Sequence, residues 1–485
     1  MTDSSEANSQ AVTPAAAEGR AAPSDEQEHW WTKWLVLIFV VTLLAGILFG
    51  YDQGVIAGAL NGMTKEFDLS STMKEVITSW VTLGALFGAL VAGMLADRLG
   101  RRTAILLAAA LFTAGALLES LAPDTAVLVV GRLVVGFGVG VASVAAPLYA
   151  AETAPTHLRG RFVSSYQLAI TIGIFVAYVV DWALTNSDSW RVMLGVSAVP
   201  AVLLLIAAWP LRDTPRWYMK AGRRDDAREA LLRIRDADQV ENDLDGIQSA
   251  LDKGEEASWK EVFGKDLRKP LSIAIGLAVF QQFTGINAII YYANEIFADA
   301  GFNTPQEQAA ATTWSIGAVN VVATFIAIAY IDRFGRKPLL QAGLVGMGLS
   351  LTVVGISFLF LDDSSTHASD AGIVTLVALV VFIASFAFSL GPVTWTVINE
   401  VFPNRVRGRA VSVATAVNWL SAWVVSQFFL TLVDLIGPSA TFWLFATFSA
   451  IAFVWIWLRV PETKGKSLEE IEAMLLPSEQ QPEGS

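Results

Sequence analysis

A chain of 485 residues that is 54% hydrophobic and 16% charged falls well below the quarter or so of charged residues typical of soluble domains. A soluble fold of this length has no way to hide so much apolar surface, so a lipid bilayer is the solvent that fits. The net charge is −12, cysteine is absent and the three histidines (His29, His157, His367) are scattered. Disulfides, thiolate metal sites and a cysteine nucleophile are therefore excluded, no metal-ligand spacing is visible, and no nucleic-acid partner is expected.

Residues 1–33 are rich in Ala, Ser, Glu and Gln without apolar periodicity and read as a disordered tail. The first apolar stretch begins at Trp34 and is too long for a signal peptide. Runs of about 20 apolar residues, enough to cross the hydrocarbon, occur at 34–59, 78–96, 103–121, 125–148, 162–184 and 192–211. After a charged interval they resume at 271–294, 312–331, 338–361, 373–397, 410–433 and 439–459. The expected fold class is an all-α membrane protein: twelve transmembrane helices in two pseudo-symmetric six-helix bundles, 34–211 and 271–459. A helical linker (212–270) joins them, and a tail (460–485) follows.

All but four of the 33 lysines and arginines fall in the termini and the even-numbered loops; Lys65, Lys74, Arg191 and Arg132 are the exceptions. The positive-inside rule then makes the linker and both termini cytoplasmic.

The halves repeat each other. Asp97-Arg-Leu-Gly-Arg-Arg102 after span 2 returns as Asp332-Arg-Phe-Gly-Arg-Lys337 after span 8. Glu152-Thr-Ala-Pro-Thr-His-Leu-Arg-Gly-Arg161 returns as Glu400-Val-Phe-Pro-Asn-Arg-Val-Arg-Gly-Arg409, and Asp213-Thr-Pro-Arg216 as Glu462-Thr-Lys464. Inverted or tandem repeats suit alternating access around a midplane site. An acid at a helix C-terminus opposes the dipole and needs cationic partners. Asp97, Arg98, Arg101, Arg102, Glu152 and Arg159, with Asp332, Arg333, Arg336, Glu400 and Arg407, are expected to form an ion-pair network with Asp213, Arg216 and Glu462. It would latch the halves while the far side is open.

These stretches, with Gly50-Tyr-Asp-Gln-Gly-Val-Ile56, Gly131-Arg132, Gln281-Gln-Phe-Thr-Gly-Ile-Asn287, Gly391-Pro-Val-Thr-Trp395 and Pro461-Glu-Thr-Lys-Gly465, resemble the sugar porter family of the major facilitator superfamily over residues 34 to about 472. One departure is Arg212-Asp-Thr-Pro-Arg216, where the family usually has Pro-Glu-Ser-Pro-Arg. The resemblance implies a monosaccharide substrate, in a cell membrane. A monomer suffices, and neither cofactor nor enzymatic chemistry is expected.

A ring of sugar hydroxyls wants neutral amides, which both donate and accept, and an aromatic platform. Gln281, Gln282 and Asn287 in span 7, Asn320 in span 8, Trp395 in span 10 and Asn418-Trp419 in span 11 supply them. Gln281 and Gly285 are expected on one helical face. In the first half Gln167 is the one amide in an apolar run. The resemblance adds Phe49, Tyr291 and Gly391, and favours a hexose.

Asp52 lies inside span 1, where a bare carboxylate costs several kcal/mol. Arg132, the arginine inside a span, is its natural partner. A carboxylate that binds Arg132 in one state and a proton in another is a proton switch, and proton-coupled relatives carry Asp at this position. The expected function is sugar/proton symport. A facilitative uniporter for a sugar or polyol, such as a pentose or inositol, is the alternative reading, and a non-transporting sugar sensor is more remote.

Overall fold

The computed structural model describes residues 32–187, 189–252, 258–361, 368–466 and 468–475. The tail at 1–31, the chain end at 476–485 and the side chains of Arg159 and Asp332 lie outside the described residues. Among those described, eleven helices are long and apolar enough to cross a membrane. Asn404–Gln427 is the twelfth crossing, made less apolar by Asn418, Ser421 and Gln427.

The first five spans are single helices: Lys33–Phe67, Ser71–Leu99, Arg101–Ser120, Thr125–Thr153 and Thr156–Leu184. Thr32 starts the first, its hydroxyl accepting the Leu35 N–H at 3.1 Å. The turn between spans 2 and 3 is Gly100 alone, at φ 97°, a backbone state open to glycine.

Small residues set how closely these helices meet. Span 1 carries a glycine every fourth residue. A Cβ at Gly50 would lie 1.9 Å from the Ile170 carbonyl oxygen, and one at Gly54 2.8 Å from the Ala177 Cβ, both on span 5. Gly136 and Gly140 of span 4 press likewise on the backbone of span 2 at Val81 and Ala85. Span 1 thus meets span 5, and span 4 meets span 2, backbone to backbone, and the Asp52–Arg132 ion pair links the two pairs of helices.

Four spans are not the single rods expected. Span 6 is Trp190–Val196 followed by Ala198–Ala208. Span 7 is Arg268–Phe283, then Ile286–Tyr291 and Ala293–Asp299, broken where Gly285 takes φ 90°. Gln281 and Gly285 therefore do not share one continuous helical face. Span 8 is Pro305–Ala311, a π-helical stretch Thr312–Ala318, and Val319–Phe334. Span 10 is Ala368–Phe388 and Leu390–Glu400, parted at Ser389. Pro392 lacks the N–H that would bond the Phe388 carbonyl, which accounts for that break. Span 9 is the unbroken Arg336–Leu361.

The last two boundaries also move. Span 11 ends at Gln427, and span 12 runs Phe429–Arg459 with non-helical Gly437 inside it. The Gly437-Pro438 pair bends the helix instead of starting it, so residues 429–436 belong to span 12.

Between the halves, helices Pro215–Lys220, Arg224–Leu232 and Val240–Asp252 bury a small core of their own around Tyr218, Ala227, Leu231, Val240 and Leu244. Arg233 of this linker stacks on Trp34 at 4.4 Å, which ties it to the start of span 1. Helix Trp259–Val262 reaches the second half through a Glu261–Arg405 ion pair.

Hydrogen bonds between the halves gather away from the linker. Lys74 pairs with Glu295 at 2.9 Å, and Ser79 donates to Gln427 at 2.7 Å. Glu75 accepts both the Thr431 N–H (2.6 Å) and its hydroxyl (2.7 Å). Tyr178 of span 5 donates to the Ile290 carbonyl, and Thr313 to the Tyr178 carbonyl.

Candidate functional site

Two chemically different clusters occupy the interior, one in each half. In the first, Arg132 is completely buried. One guanidinium nitrogen lies 2.8 Å from Asp52 and 3.7 Å from Glu119, while Nε donates to the Ile77 carbonyl at 3.1 Å. Asp52 and Glu119 are 3% and 1% exposed, so one positive charge faces two carboxyls in a water-poor space. A pair of this kind is stabilised by its geometry, and removing one partner costs about 3–5 kcal/mol. The predicted Asp52–Arg132 pair is thus formed. Glu119 went unnoticed in the sequence, although an acid inside an apolar span is a signal in itself. The same holds for Asp181 of span 5, a buried carboxylate that accepts the Gly58 N–H at 3.0 Å.

In the second half the amides meet one another. Asn418 donates to Gln281 at 2.8 Å and to the Ala278 carbonyl at 3.1 Å. Gln282 donates to Asn418 at 3.3 Å, and Gln281 donates to the Leu390 carbonyl at 2.8 Å, beside Gly391 at the break in span 10. The Gln282 carbonyl oxygen is buried with no partner. Asn287 and Asn320 are buried as well, and no hydrogen bond is described for either. Asn320 lies two residues beyond the π-helical stretch of span 8, an irregularity frequent at functional sites.

Two contacts bring the first half to this cluster. The Phe49 ring sits 5.3 Å from the Trp419 ring, and Gln53 donates to the Tyr291 hydroxyl at 3.5 Å. Gln53 follows Asp52 in sequence and so joins the charged cluster to the amide side. Trp395 and Gln167 are half-buried; no described hydrogen bond ties Gln167 to the others. Two described clefts lie elsewhere. One is bounded by Asn61, Lys65, Trp190 and Asn294; the other lies between the linker and the first half.

The repeated motifs form two matching clusters at the linker face. Arg101 holds Glu152 at 3.0 and 3.1 Å, and the Thr214 hydroxyl donates to Glu152 at 2.5 Å. Asp213 accepts the Arg101 and Arg102 N–H groups at 2.8 and 3.2 Å, capping span 3. In the second half Arg336 holds Glu400 at 3.1 Å, Thr463 donates to Glu400 at 2.6 Å, and Glu462 accepts the Arg336 and Lys337 N–H groups at 3.0 Å each. A Cβ on Gly100 would strike Asp213 at 2.0 Å, and one on Gly335 would meet Glu462 at 2.9 Å, so each cap requires glycine. Burial pushes the Asp213 carboxyl up from its ordinary range, opposed by the backbone N–H groups of Thr214, Arg101 and Arg102.

The pairs described here are those within each motif set, while the expected latch between the halves belongs to the outward-open state. Each ion pair described for these motifs stays within its own half or reaches the linker, as when Asp97 pairs with Arg101 (3.0 Å) and Lys220 (3.4 Å). Arg407 donates to the Phe402 carbonyl and not to an acid. Arg98, Arg216 and Arg333 are exposed, with no side-chain pair described. The described bonds between the halves lie at the opposite face.

Twelve crossings in two homologous halves, broken helices at the middle, and buried polar clusters define a membrane transporter and not an enzyme. The chain belongs to the sugar transporter family of the major facilitator superfamily: the family model described as "Sugar (and other) transporter" matches residues 38–475. It is 41% identical over 438 residues to the galactose-proton symporter of Escherichia coli (strain K12), covering 89% of this chain and 92% of that protein. It is 40% identical over 444 residues to the D-xylose transporter of Levilactobacillus brevis, covering 90% of this chain and 95% of that protein. Among solved structures, the xylose transporter XylE from E. coli in a partially occluded inward-open conformation matches with TM-score 0.78 at 30% identity, covering 90% of this chain and all of that one. The proton:xylose symporter XylE bound to 6-bromo-6-deoxy-D-glucose matches with TM-score 0.76 at 32% identity, covering 91% and 99%.

Proposed function

We propose that this protein imports a monosaccharide, a hexose by preference, together with protons, by alternating access. The observation that carries the reading is the division of the interior: a buried carboxyl–guanidinium cluster in one half and neutral amides in the other, joined through Gln53 and Tyr291. Sugar hydroxyls bind where Gln282, Asn287 and Asn320 offer unused hydrogen-bonding atoms, with Phe49, Trp395 and Trp419 as apolar walls and Gln167, Gln281, Tyr291, Gly391 and Asn418 completing the pocket. Galactose-, arabinose- and xylose-proton symporters among the relatives support the substrate class and the coupling.

In this reading Asp52 takes the proton. The ionised form is neutralised by Arg132; protonation loosens that pair and lets the first-half helices close on bound sugar. The linker and both termini face the cytoplasm, following the Lys and Arg placement. The interhalf bonds at Lys74, Glu75 and Ser79 then form a closed outer gate, which supports an inward-facing state. The motif networks brace each half and come together when the inside closes. The domains run 34–211 and 271–459 around the linker 212–270, and the protein works as a monomer in the cell membrane.

The test is uptake of labelled hexoses, pentoses and inositol into proteoliposomes, with a pH gradient and after an uncoupler. Accumulation of a hexose that collapses with the uncoupler is the expected result. Uptake that only equilibrates, with or without the gradient, makes the protein a uniporter.

A further inference from the structure

Arg132 has more acid around it than one switch requires. Glu119 of span 3 comes within 3.7 Å of the same guanidinium nitrogen that Asp52 holds at 2.8 Å. The packing admits it specifically: a Cβ on Gly131 would lie 2.6 Å from the Glu119 Cγ, and one on Gly115 would lie 2.8 Å from the Val135 N. Spans 3 and 4 therefore close up on two glycines, one on each helix, and the side chain of Glu119 fills the space beside Arg132.

Two atoms at this spot are buried without a hydrogen bond, the Arg132 Nη2 nitrogen and the Glu119 Oε1 oxygen. An orphaned buried donor and an orphaned buried acceptor are each unfavourable, and here they belong to residues already in contact. A small swing of the guanidinium toward span 3 would pair them.

Resting on the symport reading above, we propose that Glu119 is a positioning residue for proton coupling, the second seat of the Arg132 guanidinium. It receives the guanidinium when Asp52 becomes neutral, so the arginine is never left buried without a counter-charge. Proton gain at Asp52 and side-chain transfer to Glu119 then form one step. Without Glu119, Asp52 is the sole counter-charge and parts from Arg132 only at higher proton concentration.

Other polar groups around the cluster do not take this part. Span 2 offers the Ile77 carbonyl, and its Glu75 is engaged by Thr431. Span 7 offers the Tyr291 hydroxyl, held by Gln53. Asp181 of span 5 sits on the Gly58 N–H, and Arg191, at the start of span 6, pairs with Glu66.

The experiment is gradient-driven hexose uptake into proteoliposomes across external pH 5 to 9, normalised to each variant's own counterflow, for the wild type, Glu119→Gln, Glu119→Asp and Asp52→Asn. The proposal expects half-maximal uptake of Glu119→Gln to require on the order of tenfold more protons than wild type. Glu119→Asp should return most of the way to the wild-type profile. A Glu119→Gln profile that superimposes on that of an accumulating wild type overturns the role of Glu119 and leaves symport standing. A wild type that never accumulates overturns both, and an Asp52→Asn protein that accumulates overturns the switch on which the second seat depends.

Discussion

At the linker face the two halves are chemically near-copies: Arg101, Glu152, Asp213 and Thr214 in one correspond to Arg336, Glu400, Glu462 and Thr463 in the other, and each residue meets the counterpart partners. Midway through the bundle they part. The first half buries Asp52, Glu119 and Arg132, and the second buries Gln281, Gln282, Asn287, Asn320 and Asn418. A charge in a low-dielectric interior is tolerable only with a partner at hand, so the charged half must be rigidly packed. Its glycine-lined contacts among spans 1, 2, 4 and 5 supply that. An amide carries no net charge and can stand unpaired more cheaply, so the second half can keep atoms free for a ligand and break spans 7, 8 and 10 around them. One scaffold, duplicated, holds a switch on one side and a recognition surface on the other.

The largest expected effect comes from breaking the charged half. Arg132→Leu leaves two buried carboxyls without a cation and should cost about 3–5 kcal/mol, read as a fall in Tm in detergent together with loss of uptake. An unchanged Tm would mean the cluster carries no such stress.

The second half should separate bonded from unbonded amides. Gln281→Ala strands the bonds to Asn418 and Leu390 and should destabilise by about 1–3 kcal/mol. Asn287→Ala removes a side chain with no described hydrogen bond and should leave Tm nearly unchanged. Its half-saturating sugar concentration should rise about tenfold, the weight of a single hydrogen bond of about 1.4 kcal/mol. Equal effects of the two variants on Tm would erase the distinction.

The smallest effect concerns the shared linker-face network. Burial raises the Asp213 carboxyl above its unfolded value of about 4. Asp213 therefore stabilises the fold fully below that pH, and this contribution fades as pH climbs through the folded value. The Tm advantage of wild type over Asp213→Asn should accordingly grow as pH is lowered toward 4, measured by thermal scans across pH. An advantage that grows with rising pH would reverse the assignment.

Much of this was legible in the chain. Apolar run length and the doubled motifs gave twelve crossings and two halves, because hydrophobic thickness and ion-pair chemistry leave strong linear signals. The lone acid in span 1 and the lone arginine in span 4 likewise pointed to each other. What escaped was set by local backbone and by helix proximity. The break at Gly285, the π-helical stretch before Asn320 and the bend at Gly437 depend on single residues inside otherwise continuous apolar runs. Glu119 stands near the end of its span, where an acid reads as the start of a loop, and only the approach of spans 3 and 4 at Gly115 and Gly131 turns it toward Arg132. The mutual bonding of Gln281, Gln282 and Asn418 follows from how span 7 meets span 11, which no spacing records.

The central claim, that Asp52 of the charged half carries the proton that travels with sugar, is tested most directly by watching external pH when sugar is added to lightly buffered, de-energised proteoliposomes. Wild type should alkalinise the medium as protons enter with sugar, and Asp52→Asn should give no pH change while still exchanging labelled sugar. Alkalinisation by Asp52→Asn at the wild-type rate would contradict the account.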